Sequence, residues 1–239
     1  MPSVAELTAL YTNFMFGPRP GPEVCDQCFN FTRGFDRCYA CDHNQAWLGA
    51  IAPISYSVAH EQLHHALRLY KRIGGTAGRR LTLELSSVLW RYLDAHEGCV
   101  ARAAGVDRFE LITSVPSGEE SRDESHPLRA IVGEIVAPTV GRHERLLRRS
   151  TTEVAPHDFE SRKFEAVRVL DGEPVLLIDD TWTTGASAQG AAAALRKAGS
   201  GPVAAIVIGR HLNREWHEND RRLRGITRPF DWERCVLCG

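Results

Sequence analysis

No run of about 18 consecutive apolar residues occurs in the 239-residue sequence, so no membrane-spanning helix is expected. Charge of one sign does not dominate either: 29 Lys and Arg stand against 30 Asp and Glu, a formal net charge of -1. That balance argues against a surface built throughout for nucleic acid, while leaving room for a local basic patch. The first residues, MPSVAELTALYTNFMFGPRPGPEV, lack the charged-then-apolar order of a secretory signal. Internal repeats and low-complexity segments are absent. These absences lead to the expectation of a cytoplasmic protein with no membrane partner. Thiols stay reduced there, so the seven cysteines are expected to be metal ligands or plain core residues rather than disulfides.

The length suits one sizeable α/β domain with a small appendage. Residues 1–50 are expected to form an N-terminal helix and a Cys-rich hood, and residues 51–239 an α/β domain with a C-terminal cap. A short apolar helix over Val4–Phe14 is separated from the cysteine region by the Pro/Gly stretch Gly17–Pro22. Helices are expected over His60–Tyr70, Ala77–Leu93 and Leu128–Val136, the last ending before Pro138. Phe109–Val115 reads as a strand, and the polar, basic stretch Gly141–Arg162 as a long loop of the kind that forms lids. Strand Pro174–Ile178, helix Ala186–Ala198 closed by Gly199, and strand Val203–Gly209 make a βαβ unit, hence a parallel sheet, expected to have about five strands.

The most informative residues are Pro174–Ser187, PVLLIDDTWTTGAS. An apolar strand delivers Asp179 and Asp180, and a hydroxyl-rich turn, Thr181–Ser187, then opens a helix. Ligands of parallel sheets sit beyond the carboxyl ends of the strands. A helix N-terminus supplies free N–H groups and a positive dipole end, which suits a phosphate. Thr183, Thr184 and Ser187 can add hydroxyls, and Gly185 lets the backbone approach an anion closely. The acids would repel phosphate, so their expected task is to accept hydrogen bonds from sugar hydroxyls. An ordinary capped βα turn needs neither two acids nor three further hydroxyls in this order. The Gly-Lys-Ser/Thr ending of a P-loop is missing.

VLLIDDTWTTGAS closely resembles the phosphoribosyl pyrophosphate (PRPP) signature of type I phosphoribosyltransferases. The chain looks most like their ComF-type, amidophosphoribosyltransferase-like branch: a cysteine-rich N-terminus, a helix leading to Leu69-Tyr70-Lys71-Arg72, a strand ending in Val115-Pro116, and the PRPP loop follow in order over about residues 25–209. The resemblance implies an α/β fold with a parallel sheet and a small zinc-ribbon-like hood. It implies that Asp179 and Asp180 hold the ribose 2′ and 3′ hydroxyls and that Thr181, Trp182, Thr183, Thr184, Gly185, Ala186 and Ser187 hold the 5′-phosphate. It implies pyrophosphate binding by Lys71 and by the turn Ser114-Val115-Pro116-Ser117-Gly118, whose N–H groups can form an anion nest. The family's Arg-Gly-Phe-Asn stretch after that turn is replaced by Arg122-Asp-Glu-Ser-His126-Pro-Leu-Arg129, which weakens any role for Arg122 or Arg129. The basic loop stands where the family carries a flexible catalytic loop, with Arg148, Arg149 and Arg162 as the cations for a departing pyrophosphate.

The activity implied is transfer of the 5-phosphoribosyl group to an unidentified base or amine, with Mg²⁺ entering with PRPP. In salvage enzymes for hypoxanthine and guanine the resembling loop has an acid where this chain has Thr183, which argues against those two substrates. A regulator that binds PRPP without turnover is the alternative. A DNA-uptake accessory protein is another, since Gly209–Gly239 interleaves arginines with Trp216, Phe230 and Trp232, a composition that can bind single-stranded DNA. A cap over the sheet is the favoured reading of that segment. A homodimer is a further partner expectation.

Cys25-x-x-Cys28 and Cys38-x-x-Cys41 have the spacing of a tetrahedral structural Zn²⁺ site. A third pair, Cys235 and Cys238, remains open: it either completes a site with one N-terminal knuckle or binds nothing. His43 is a weaker ligand candidate, and Cys99 is expected to be an apolar core residue.

Overall fold

A computed structural model of the chain describes residues 2–117, 126–152 and 159–238. Gly118 and Arg122 lie outside them. In chain order the helices and strands are α1 (Val4–Thr8), α2 (Tyr39–His43), β1 (Ala50–Val58), α3 (Gln62–Leu69), α4 (Gly75–Ala103), β2 (Leu111–Ser114), α5 (Pro127–Ala130), α6 (Ala137–Val140), β3 (Leu147–Arg149), β4 (Phe164–Ala166), β5 (Val175–Trp182), α7 (Ala186–Lys197), β6 (Val203–Leu212) and α8 (Asn219–Arg224).

The architecture is mixed α/β. The central sheet runs β1-β6-β5-β2, every neighbouring pair parallel. Among the described residues it has four strands rather than about five. Strands buried on both faces read as continuous apolar runs. Leu176, Ile178, Ala204, Ile206 and Ile208 join Leu67, Leu85, Leu89 and Leu93 of α3 and α4 in one cluster, while Val175, Leu177, Ala205 and Val207 join Ala191, Ala192 and Leu195 of α7 in the other.

Several elements differ from the reading of the sequence. Helix α1 stops at Thr8 and a 3₁₀ turn, Tyr11–Asn13, follows. Helix α4 continues ten residues beyond Leu93, because Val100 and Ala101 extend its buried stripe and even His96 is buried on it. Leu128–Val136 is not one regular helix: α5 passes into a π turn, Ile131–Ile135, in which Val136 N–H bonds Ile131 carbonyl at 2.9 Å. The supposed loop 141–162 contains β3, which pairs antiparallel with β4 in the register Leu147↔Ala166.

Strand β1 carries Pro53 and sits at a sheet edge, where a missing N–H costs least. Its outer side is met by Phe16, whose carbonyl accepts from Tyr56 N–H (2.8 Å) and whose N–H donates to Ser55 Oγ (2.9 Å). At the opposite edge Ile112 of β2 exchanges hydrogen bonds with Arg142 and Glu144 (2.9 and 3.0 Å).

Candidate functional site

Strand β5 does not end at Ile178 but runs through both acids to Trp182. Successive side chains of a strand point to opposite faces, so Asp179 and Asp180 do not form a pair. Asp180 follows Leu176 and Ile178 to the α3–α4 side and is buried. There it accepts the Tyr70 hydroxyl and forms an ion pair with Lys71, both just past the end of α3. Burial, then the Asp180 charge, pushes the Tyr70 phenol well up. Asp179 follows Leu177 to the α7 side and is half-buried. Burial first, and the Asp180 charge second, push its carboxyl up to about 7, against the pull of Lys71 and Lys163.

The turn behind the acids leads directly into α7. Gly185 has φ +83°, the left-handed region, and caps α7. A Cβ at this position would overlap Trp182 Cζ2 and Cε2 and lie 2.8 Å from Cη2. Ala186 N–H is 3.4 Å from Thr184 Oγ1. The first turn of α7 thus opens at the carboxyl end of β5, with Thr183, Thr184 and Ser187 in or beside the turn.

Lys163, which the sequence reading did not single out, adjoins this turn. It is buried directly before β4, and its Nζ donates to Ser187 Oγ at 2.9 Å. Burial, then Arg149, lowers its pKa, while Asp179 pulls the other way. Arg149 is therefore the loop arginine whose field reaches this cluster. Arg148 is engaged by Glu165 on the facing strand (3.0 Å), and Arg162 by Glu160 (3.3 Å), both largely exposed.

The turn 114–117 arrives beside β5 because Ser114 is in register with Ile178, one residue before Asp179. Val115 N–H bonds the Ile178 carbonyl at 3.0 Å. Pro116 is buried, and Ser114 and Pro116 line a narrow cleft with Arg129, His143 and Arg145. Lys71 is at the same end of the sheet through Asp180, whereas the turn Thr183–Ser187 lies across β5 from it.

Beside Thr183 and Thr184 opens a groove of about 380 Å³ whose other walls include Arg210, His211 and the exposed Phe35, Tyr39 and Trp216. Trp216 is the exposed aromatic of the C-terminal region; Trp232 is buried and Phe230 packs against it. The arginines there are largely neutralised: Arg214 pairs with Glu61 and Asp220, Arg221 with Glu218, Arg222 with Glu23, and Arg224 with Asp220.

Cys25, Cys28, Cys38 and Cys41 are all buried, with their sulfurs within 4.8 Å of one another. The Cys28–Cys38 separation is 3.6 Å, near the ~3.8 Å edge of a tetrahedron of sulfurs ~2.3 Å from zinc. Hydrogen bonds from the other three sulfurs, then burial, push the Cys41 thiol far up; a bound divalent cation would hold all four as thiolates. The buried Arg210 faces the cluster, donating to the Cys28 carbonyl (3.2 Å) and approaching Cys28 Sγ (3.8 Å). It also donates to the Trp182 carbonyl (3.2 Å), tying the cluster to the end of β5. The four cysteines thus fit a structural metal such as zinc. His43 is exposed, with Nδ1 2.9 Å from the Tyr39 carbonyl, and lies outside this group. The pair Cys235 and Cys238 completes neither N-terminal knuckle: it lies against α4, beside His96 and Cys99. Cys99 is half-buried within that group rather than a plain core residue.

A scan of protein-family models finds no match to this chain, and a search of curated proteins finds none either.

Proposed function

We propose that this chain has the type I phosphoribosyltransferase fold, binds PRPP, and transfers its 5-phosphoribosyl group to a base or amine. The observation that carries the reading is the meeting of a glycine-capped helix N-terminus, the Lys163 ammonium and the Asp179 carboxylate at the carboxyl end of one buried parallel strand. Phosphate suits the first two groups and a sugar hydroxyl suits the third. Phosphoribose carries a phosphate and sugar hydroxyls a few bonds apart.

In this reading the 5′-phosphate occupies the turn Thr183–Ser187 and the ribose hydroxyls donate to Asp179. Asp180 is a positioning residue: it holds Tyr70 and Lys71. The Lys71 ammonium and the turn 114–117 receive the pyrophosphate, which brings its own Mg²⁺. The bond from C1 to the pyrophosphate oxygen breaks, its electrons leave with pyrophosphate, and the acceptor nitrogen bonds to C1. The protein's contribution is orientation and stabilisation of the leaving group's charge. The groove lined by Phe35, Tyr39 and Trp216 offers stacking surfaces for a planar acceptor.

Calorimetry with PRPP and Mg²⁺, paired with pyrophosphate release over a panel of bases and amines, tests the proposal. Asp179→Asn should weaken binding at least about tenfold, about 1.4 kcal/mol. Absence of PRPP binding, or an unaltered affinity in the variant, rejects the site. Clear binding with no release for any acceptor rejects the transfer step and leaves a PRPP-responsive regulator.

A further inference from the structure

Away from the turn Thr183–Ser187, Cys235 and Cys238 meet the C-terminal third of α4. His96 and Cys99 are three residues apart on that helix and so share a face. Cys235 and Cys238 form a knuckle against them, with sulfurs 3.1 Å apart. His96 Nδ1 lies 3.7 Å from Cys238 Sγ and 3.9 Å from Cys99 Sγ, and all four ligand atoms fall within 4.8 Å of one another.

The imidazole is oriented for coordination. Its Nε2 is 2.8 Å from the Trp232 carbonyl. A carbonyl can only accept, so Nε2 carries the proton and Nδ1 turns its lone pair toward the three sulfurs. A metal-binding histidine is commonly held in this way by a carbonyl behind it. Two donors reach the sulfurs: Arg102 Nη2 donates to Cys99 Sγ (3.4 Å), and Leu237 N–H to Cys235 Sγ (3.4 Å). The buried Tyr92 hydroxyl, with no hydrogen-bond partner among the described residues, faces the same sulfurs.

We propose that His96, Cys99, Cys235 and Cys238 form a second zinc site, distinct from the four cysteines of the hood. Three sulfurs and one imidazole nitrogen, all within 4.8 Å of one another, are a donor set that suits Zn²⁺. Three thiolates with Zn²⁺ leave one negative charge, which Arg102 offsets. A disulfide between Cys235 and Cys238 would use only two of the four groups and give the aimed His96 nitrogen and Cys99 nothing to bind. The metal fastens the C-terminal tail to a helix about 140 residues earlier, where Arg91 stacks over Trp232 at 4.6 Å.

The test is metal content of the full-length chain, purified anaerobically without chelator, with intact mass measured under denaturing conditions. Two zinc ions per chain are expected, at the mass of fully reduced cysteines. The C235S/C238S variant should hold one fewer zinc than the wild type. If it does not fold, H96Q carries the test: Gln can still donate to the Trp232 carbonyl, but the chain should surrender one zinc at a chelator concentration at least about tenfold lower than the wild type requires. A zinc content unchanged by both variants overturns the proposal, as does a wild-type mass lighter by two hydrogens with Cys235 and Cys238 linked.

Discussion

Gly185→Ala probes the turn Thr183–Ser187 at the point where backbone and packing demands coincide. An alanine at φ +83° enters the left-handed region, at about 1–2 kcal/mol. Its Cβ must then displace the indole of Trp182, which is 2% exposed and has no open side to move into. Overpacking of this kind costs about 1–3 kcal/mol. The sum, about 2–5 kcal/mol, corresponds to a midpoint lowered by roughly 10 °C for a chain of this length. Thermal unfolding followed by circular dichroism measures it. The two contributions separate in the double variant Gly185→Ala with Trp182→Phe, because the shorter ring removes the Cζ2 and Cη2 atoms that the new Cβ strikes. The double variant should lose less than the sum of the two single losses. An unshifted midpoint for Gly185→Ala, or strictly additive losses, refutes the packing argument.

Lys163→Met keeps the aliphatic stem and removes the ammonium beside Ser187. It should lower affinity for PRPP or ribose 5-phosphate about 10–100-fold, read by calorimetry; equal affinity removes Lys163 from the phosphate site. Asp179, held up to about 7 chiefly by burial, sets a pH dependence. Only the ionised carboxylate accepts two hydroxyl donors, so sugar binding should strengthen between about pH 6 and 8. Phosphate's own second ionisation near pH 6 adds to this trend, so the assay is the difference between wild type and Asp179→Asn, which should flatten the curve; parallel curves exclude Asp179. For stability the sign is reversed: the folded state holds the proton, so the share due to Asp179 is complete below its unfolded pKa of about 3.9 and is lost as pH rises through about 7.

Local signals carried β5 and α7, because Val175–Ile178 is an unbroken apolar run and Gly185 marks the turn to a helix of small residues. The hood cysteines were legible for a similar reason: all four ligands fall within 17 residues of sequence. What was hidden depended on distance or direction. His96 and Cys99 gain meaning only when the fold carries Cys235 and Cys238 to α4. Lys163 is one cation among many until β4 sets it beside Ser187. The adjacency of Asp179 and Asp180 suggests a shared task, but the pleat separates them, assigning one to Tyr70 and Lys71 and leaving the other on the α7 side. Strand β1 escaped notice because Pro53, Ser55 and Ser57 interrupt its apolar pattern, although all nine of its residues are buried.

Open strand edges are templates on which further chains can add, the first step of sheet-driven aggregation. Here the segment at Phe16 lies along β1 and the segment at Arg142–Glu144 lies along β2, each taking main-chain hydrogen bonds that a foreign strand would seek. Pro53 offers no backbone donor within this edge strand. At these two points a foreign strand adding to the central sheet would first have to displace the chain's own borders.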